Sequence, residues 1–201
     1  MIRVLLADDE NLIRSALAAL LALEDDLEVV AQAASGAEAL AMARAHTPDV
    51  AVLDLQLPDR DGIALAAELA AVVPGCGLVI ATGHGRPGHL KRALEAGVRG
   101  FLPKTVNAAV LTSVVRTVHG GGRYVDPELA VEAISAGDSP LTPREADILE
   151  LAAGGAPVEE IAARAHLSPG TVRNHLSAAA AKLGAPNRHA AVTEARRQGW
   201  I

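Results

Sequence analysis

The sequence contains very little cysteine and no long apolar run, and both absences exclude classes of protein. Cys76 is the only cysteine in 201 residues, so one chain can form neither a disulfide framework nor a cysteine metal site. No apolar stretch approaches the roughly 20 residues of a membrane-spanning helix, and no signal-peptide pattern opens the sequence. We therefore expect a soluble, cytoplasmic protein with no membrane partner.

The motifs of several common enzyme classes are also missing. No glycine-rich phosphate-binding fingerprint follows the first predicted strand, where acidic residues stand instead. The sequence has no serine–histidine–aspartate arrangement and no zinc-ligand spacing. His84 and His89 flank a glycine-rich loop, and we interpret them as solvent-facing side chains rather than ligands.

Charge is distributed unevenly along the chain, whose formal net charge is −6. Residues 1–120 contain 10 Lys and Arg against 14 Asp and Glu, whereas residues 164–201 contain six basic residues and a single acidic one, Glu194. An acidic front and a basic tail indicate different partners for the two halves.

Strand and helix signals alternate through the first half. Apolar runs typical of buried parallel strands occur at residues 2–7, 27–33, 50–54, 77–81 and 100–103, each followed by a helical pattern (12–23, 37–45, 63–71, 88–96 and 108–119). Five consecutive strand–helix units predict an α/β domain with a doubly wound, five-stranded parallel sheet over residues 1–120.

Three consecutive glycines, Gly120 to Gly122, end this alternation. They begin a predicted linker over residues 121–139, in which residues 127–134 have the pattern of a short helix. Residues 140–201 form the second predicted domain, with helices at about 141–153, 158–165, 171–183 and 188–198. Thr142-Pro143-Arg144-Glu145 is a capping box with proline at the first helical position. The domain is therefore all-α and contains a helix-turn-helix candidate.

Polar residues stand at the carboxyl ends of four predicted strands. They are Asp8 and Asp9, Asp54, Thr82 and Lys104. In an α/β sheet with the flavodoxin-like strand order these ends converge. Three close carboxylates repel one another unless a cation lies between them, and oxygen ligands favour Mg²⁺. Lysine and a hydroxyl suit the remaining oxygens of a phosphoryl group, so we predict Asp54 to be a nucleophile that forms an acyl phosphate.

Alternatives exist for each of these residues taken alone. A single aspartate at a strand end is usually a helix cap or a surface group. The agreement of all four strand ends is what favours a phosphoryl site.

These motifs carry a family resemblance. The acidic pair Asp8-Asp9, the run LDLQLPDRDG around Asp54, Thr82 and the run GFLPK ending at Lys104 resemble the receiver domain of bacterial two-component response regulators. The resemblance implies that Asp54 accepts a phosphoryl group from the phosphohistidine of a sensor histidine kinase. It also implies that Asp9 ligates Mg²⁺ directly with Asp8 behind it, and that the Gln56 carbonyl completes the protein ligands.

The resemblance further assigns a conformational switch. Thr82 and Phe101 match a pair that turns inward on phosphorylation, because a phosphoryl oxygen can draw in the hydroxyl and vacate space for the ring. Phe101 is one of three aromatic residues in the chain, and plain core packing is the alternative. Thr105 stands where many receivers have proline, so the cis peptide often found there is not implied.

The second half has a resemblance of its own. The runs LTPREADILELAAGG, EEIAARAHLSPGTVRNHLSAAAAKLG and NRHAAVTEARRQGW resemble the LuxR/FixJ-type helix-turn-helix. Together the two halves identify the chain as a member of the NarL/FixJ family. The run GRPGHLKRALEAGVRGFLPK is similar to regulators of membrane-lipid desaturation.

The third helix of this half is the predicted DNA-reading helix. Its apolar stripe consists of Val172, Leu176, Ala179, Ala180 and Leu183. Arg173, Asn174 and Ser177 lie off the stripe, and the resemblance places their face in the major groove of double-stranded DNA, where Arg can pair guanine and Asn adenine. The predicted phosphate contacts are Thr171, Lys182 and Arg188. A solvated helix face is the alternative.

We therefore predict a DNA-binding transcription regulator that phosphorylation switches and dimerises. It is not an enzyme beyond self-phosphorylation from a phosphodonor and autodephosphorylation. One alternative makes the first domain a phosphate-independent dimerisation module, and another is a metal-dependent phosphatase.

Two surfaces of the first domain are candidates for dimerisation. The preferred one joins its first and last helices through Leu17, Leu21, Leu111 and Val115. The other uses the helix at residues 88–96, the strand after it and the last helix.

Overall fold

A computed structural model of the chain describes residues 1–83, 87–136 and 139–201, without the side chains of residues 87, 88, 135 and 136. The chain divides into two compact units. The first contains residues 1–83 and 89–129, and the second contains residues 130–136 and 139–201 together with residues 87 and 88.

The first unit is an α/β domain, as predicted. Its strands are β1 (Ile2–Ala7), β2 (Leu27–Ala33), β3 (Val50–Asp54), β4 (Gly77–Thr82), β5 (Gly100–Pro103) and β6 (Tyr124–Val125). Its helices are α1 (Asn11–Leu21), α2 (Gly36–His46), α3 (Gly62–Val72), α4 (Pro87–Glu95) and α5 (Ala108–His119). All strand pairs are parallel and the order is β2-β1-β3-β4-β5-β6.

The central strands explain why the sheet forms. Every residue of β3 and β4 is buried, as expected of parallel strands covered on both faces. Side-chain caps begin the neighbouring helices: Ser35 accepts a hydrogen bond at the start of α2, Asp61 at α3 and Asn107 at α5. The strand ends are thereby held at one edge of a packed sheet.

The sheet has six strands rather than the predicted five, because two residues of the predicted linker join it. The Tyr124 N–H donates to the Arg99 carbonyl at 2.8 Å, and the Asp126 N–H donates to the Phe101 carbonyl at 2.9 Å. Tyr124 also packs against the core of the unit. A strand of two residues has no alternation to detect, which is why its pattern is not visible in the sequence. The predicted linker helix is present as α6 (Pro127–Ala136).

The second unit is helical, as predicted. It contains α7 (Pro143–Leu151), α8 (Val158–Ala165), α9 (Pro169–Lys182) and α10 (Arg188–Arg197). The predicted capping box is formed: the Thr142 hydroxyl accepts from the Glu145 N–H, and the Glu145 carboxylate accepts from the Thr142 N–H at 2.7 Å. Ile148, Leu149, Ile161 and Val172 are fully buried at the centre of the bundle.

Across residues 1–83, 87–136 and 139–201, no helix combines the length and apolar character that crossing a membrane requires.

Candidate functional site

The four predicted strand ends converge in the structure. Asp8 follows β1, Asp54 ends β3, Thr82 ends β4 and Lys104 follows β5, and these four strands are consecutive neighbours in the sheet. The Lys104 ammonium lies 2.7 Å from Asp8 Oδ2 and 3.0 Å from Asp54 Oδ2. Its backbone N–H donates to the Thr82 carbonyl at 2.8 Å. Lys104, at the end of β5, therefore connects its own strand end to the other three.

Three carboxylates form an acidic cluster at this edge. One oxygen each from Asp8, Asp9 and Asp54 can be chosen so that all lie within 4.8 Å of one another. Asp8 and Asp54 are buried, whereas Asp9 is exposed. A set of hard oxygen donors with one solvent-facing member could hold a metal ion and leave room for water in its shell.

Burial and neighbouring charges shift the pKa values of Asp54 and Lys104. It raises the pKa of Asp54 above its ordinary value, the nearby Lys104 opposes that rise, and the charge of Asp8 adds to it. Burial also disfavours the charge of Lys104, but its hydrogen bonds to Asp8 and Asp54 outweigh this effect and raise the Lys104 pKa. Lys104 is therefore a permanent cation shared by two buried carboxylates.

Glu10 is a member of the site that the sequence reasoning missed. Its Oε2 lies 3.3 Å from the Lys104 ammonium, although its side chain is mostly exposed. Its position directly after the acidic pair Asp8-Asp9 was the available signal. Glu10 is therefore a third anion within reach of the same lysine.

The backbone turns back sharply after Asp54. Residues 55–62, which we call the site hairpin, contain an antiparallel bridge between Gln56 and Asp61. The Gly62 N–H donates to the Leu55 carbonyl at 2.8 Å and closes its base. A Cβ at Gly62 would overlap the Asp54 carbonyl oxygen, so only glycine allows this close return. Gln56, whose carbonyl is a predicted ligand, lies in this hairpin.

The two predicted switch residues are both buried. Thr82 ends the buried strand β4, and Phe101 is 1% exposed in β5, where it pairs with Ile80 on one side and Val125 on the other. The ring of Phe101 is thus inside the unit in this structure. The described backbone contains no cis peptide, in line with the departure at Thr105.

The prediction of two solvent-facing histidines is wrong for the one that is described. His89, which lies in α4, is only 7% exposed and is therefore buried. His84 lies outside the described residues.

The predicted dimerisation contacts need correction. Leu21, Leu111 and Val115 are 0, 3 and 0% exposed, and they belong to the core of the first unit. They cannot also face a second chain. The exposed large apolar side chains at α1 are instead Leu12 (82%) and Leu20 (36%), with Leu23 (79%) just beyond the helix.

The predicted DNA-reading helix is α9, preceded by α8 and a tight turn. The turn contains His166 in the left-handed region (φ +53°), and the Leu167 N–H donates back to the Ala162 carbonyl at 2.9 Å. On α9, Val172 and Leu176 are buried as predicted. The predicted base-reading residues Arg173, Asn174 and Ser177 are all exposed.

Four of the predicted DNA-contacting residues already make contacts within the second unit. The Arg173 guanidinium lies 3.3 Å from Glu159 Oε1, with both side chains exposed. The Lys182 ammonium lies 2.7 Å from Glu145 Oε2. Arg188 donates to the Ala156 carbonyl at 3.2 Å. The Thr171 hydroxyl shares a hydrogen bond with Ser168. Their roles toward DNA stay predictions.

Glu145 is the most buried of these partners. Burial alone would raise the pKa of its carboxyl, but Lys182 and the N–H and hydroxyl of Thr142 outweigh burial and lower it. One carboxylate therefore serves both the start of α7 and the end of α9.

Comparison with known proteins identifies both units. Residues 4–116 match the family of response regulator receiver domains, and residues 139–195 match the luxR family of bacterial regulatory proteins. The chain belongs to the response regulators that join a receiver to a LuxR-type DNA-binding domain, which confirms the predicted NarL/FixJ family. It is a phosphorylation-switched, DNA-binding transcriptional regulator and not a metabolic enzyme.

Individual relatives agree with this family over the whole chain. Transcriptional regulatory protein DesR of Bacillus subtilis is 38% identical over 201 residues, and UhpA of Escherichia coli is 41% identical over 202 residues, each alignment covering all of both chains. The structure of RcsB from Salmonella enterica serovar Typhimurium, bound to the promoter rprA in the presence of the phosphomimetic BeF₃⁻, superposes with a TM-score of 0.69 at 25% identity, covering 96% of this chain and 97% of that one. Relatives of different names match at similar identity, so these comparisons do not single out one regulatory pathway.

Proposed function

We propose that Asp54 is the phosphoacceptor of this regulator and takes its phosphoryl group from the phosphohistidine of a sensor histidine kinase. The observation that carries the proposal is the position of Lys104, which contacts Asp8 and Asp54 at the junction of four strand ends. A buried carboxylate beside a shared cation is what phosphoryl transfer to aspartate requires.

The reaction follows from this geometry. A carboxylate oxygen of Asp54 attacks phosphorus, the bond between phosphorus and the histidine nitrogen of the kinase breaks, and an acyl phosphate forms. Lys104 keeps its contact with Asp8 and transfers its second contact from Asp54 to an oxygen of the phosphoryl group. The Thr82 hydroxyl, at the neighbouring strand end, takes another of these oxygens.

We propose that the acidic cluster holds Mg²⁺. Asp8, Asp9 and Asp54 provide carboxylate oxygens and Gln56 provides its backbone carbonyl, a donor set that Mg²⁺ prefers. The bound ion would neutralise charge on the phosphoryl oxygens. Asp9 is the exposed member and therefore the natural entry point for the ion.

The proposed switch starts from Thr82. A phosphoryl oxygen on Asp54 draws the Thr82 hydroxyl toward the site. Phe101 is buried in β5, and its ring is the group that would fill the space the Thr82 side chain leaves.

Intact-mass analysis tests the phosphoacceptor. With acetyl phosphate and Mg²⁺, the wild type should gain one phosphoryl group, whereas Asp54→Ala should gain none. Asp25→Ala, which changes an exposed aspartate away from the strand ends, is the matched control and should be labelled like the wild type. Equal labelling of Asp54→Ala would remove the proposal.

We further propose that phosphorylation drives dimerisation and DNA binding. A single α9 presents only Arg173, Asn174 and Ser177 to the bases, which is too little for typical specific affinity, so two copies must bind together. Salmonella RcsB binds promoter DNA in the presence of a phosphomimetic, and its likeness to this chain supports the same order of events here. The two half-sites should lie about one helical turn apart.

The exposed α1 face, formed by Leu12, Leu20 and Leu23, is our proposed dimerisation surface. The alternative surface contains β5, whose outer edge is paired with β6 of the same chain. Light scattering should show a larger mass after phosphorylation of the wild type but not of Leu12→Glu. Val131→Glu, a matched change at an exposed apolar residue of α6, should still dimerise. A constant mass accompanied by a phosphorylation-dependent gain in DNA affinity would contradict the dimer model.

A further inference from the structure

The site hairpin is attached to the rest of the unit at both of its ends. Its base is fixed beside Asp54 by the Gly62 N–H bond to Leu55. At its tip the chain reverses over residues 57–60, where the Leu57 N–H donates to the Arg60 carbonyl at 3.3 Å. The position of the Gln56 carbonyl therefore depends on what holds the tip.

Asp59, at the tip, bonds to a different element. Its two carboxylate oxygens accept the backbone N–H groups of Gly36 and Ala37, at 2.7 and 2.9 Å. These are the first two residues of α2, and their donors have no partner within the helix. Asp59 thus satisfies two backbone donors that are distant in sequence and fixes the tip to a rigid helix.

The neighbours of Asp59 reinforce this attachment. Arg60 makes a two-point ion pair with Glu68 of α3, at 2.9 and 2.8 Å. A side chain at Gly36 would collide with Arg60, so the hairpin lies directly against the start of α2. Asp61 caps α3 and accepts from Arg92 of α4 at 2.6 Å. The tip has no freedom to tilt without breaking bonds to α2.

We infer that Asp59 is a positioning residue for the proposed metal site: by clamping the hairpin tip to α2 it aims the Gln56 carbonyl toward the ion. The inference rests on the proposed function and adds a residue to it. Groups behind a metal ligand commonly change metal affinity about 10- to 100-fold when they are removed, and a clamp acting through the backbone belongs at the low end of that range.

Glu38 provides a matched control on the same helix. Its Oε2 accepts the Ala34 N–H at 2.7 Å, so it also stabilises the start of α2, but no described contact joins it to the site hairpin. Glu38→Ala and Asp59→Ala therefore remove comparable capping interactions, and only the second releases the hairpin.

Mn²⁺ is the probe, and electron paramagnetic resonance of the free ion measures its binding to the full chain without a phosphodonor. Asp59→Ala should raise the dissociation constant about tenfold, and Asp59→Asn, which keeps one acceptor, should fall between it and the wild type. Glu38→Ala should stay within about twofold of the wild type. In the metal-free protein, the Leu57 and Gly62 amides should exchange with solvent faster in Asp59→Ala than in Glu38→Ala.

The outcomes separate this inference from the proposed function. Wild-type affinity in both Asp59 variants, or an equal loss in Glu38→Ala, overturns the positioning role while leaving the metal site in place. A wild type that binds no Mn²⁺ overturns the metal site and the positioning role together. If Asp59→Ala proves unfolded by circular dichroism, the graded effect of Asp59→Asn decides.

Discussion

The two functional surfaces of this chain are built in opposite ways. At the sheet edge, the reacting groups are buried, and Lys104 contacts Asp8 at 2.7 Å and Asp54 at 3.0 Å. On α9, the predicted base-reading residues Arg173 and Asn174 are exposed, and the described partner of Arg173 is the exposed Glu159. The charged groups of the first surface hold one another in a buried network, whereas the described contact of Arg173 on the second surface is exposed to solvent.

This difference decides where mutations act. A buried charge that loses its partner costs more than an exposed one, because water cannot replace the lost contact. Substitutions at the sheet edge should therefore change both chemistry and stability. Substitutions of the exposed residues Arg173, Asn174 and Ser177 of α9 should change DNA recognition and leave folding almost untouched.

The largest effect is expected at Lys104. Lys104→Met leaves Asp8 and Asp54 without their shared cation and removes the charge that we propose to stabilise the transferring phosphoryl group. The rate of phosphorylation from acetyl phosphate should fall about 10²- to 10³-fold, measured by intact mass over time. Lys91→Met changes an exposed lysine of the same unit and should react at the wild-type rate. If Lys104→Met were phosphorylated at the wild-type rate, Lys104 would have no role in the reaction. The sheet edge would then tolerate substitution as well as the exposed face of α9 does.

Glu145 is an exception to this contrast. It is a buried carboxylate in the second unit, yet it contacts Lys182 at the end of the exposed helix α9. Glu145→Gln loses the charge-assisted bond to Lys182 and weakens the capping box, so the free energy of unfolding should fall by about 2–4 kcal/mol. Denaturation followed by the fluorescence of Trp200, the sole tryptophan, measures this loss. Glu160→Gln, an exposed change on α8, should cost almost nothing.

The same carboxylate gives the second unit a pH dependence. Its pKa is lower in the folded than in the unfolded chain, so its stabilisation is complete above the unfolded pKa and is lost as pH falls through the folded one. Glu145→Gln should lack this part of the acid sensitivity. An identical acid profile in wild type and variant would contradict the assignment.

Arg173 tests whether the exposed face reads sequence. Arg173→Ala should cost about 1–3 kcal/mol of binding to the specific site and little on random DNA. Lys182→Ala should weaken both duplexes alike and reduce the salt dependence of binding. Titrations of the two duplexes across salt concentrations measure both effects. Equal weakening of both duplexes by Arg173→Ala would make it a phosphate contact.

The smallest effect is expected at Asp54, where a substitution should raise the stability of the first unit rather than lower it. Burial raises its pKa in the folded state, so its carboxylate opposes folding once pH rises above the unfolded pKa. Asp54→Asn removes that charge and leaves Lys104 paired with Asp8. The melting temperature of the first unit at neutral pH should therefore rise, as calorimetry can show. A lower melting temperature would mean that Lys104 needs both carboxylates.

Sequence reasoning was most successful where a simple rule connects position to space. Parallel strands end at the same edge, so Asp8, Asp54, Thr82 and Lys104 could be brought together without a structure. It failed on α1, because large apolar residues occur on the exposed side of that helix as well as on its buried side. Leu21 was therefore assigned to the surface although it is buried, and Leu12 was overlooked although it is exposed.

Contacts between loops were also beyond the sequence. Asp59 and the α2 start are 22 residues or more apart, and no local pattern indicates that one bonds to the other. The same applies to Glu10 and Lys104, which are 94 positions apart. These contacts depend on how loops of different strands meet, and that information arises only when the sheet has formed.

The short strand β6 has a practical consequence for any fragment of this chain. It covers the outer side of β5, where the Arg99 and Phe101 carbonyls accept the N–H groups of Tyr124 and Asp126. A fragment ending at residue 119 would retain every proposed phosphorylation residue but expose these groups as an unpaired strand edge, which is a template for association between chains. Such a fragment should self-associate without any phosphoryl group. Its dimers would therefore not be evidence of phosphorylation-driven dimerisation in the full chain.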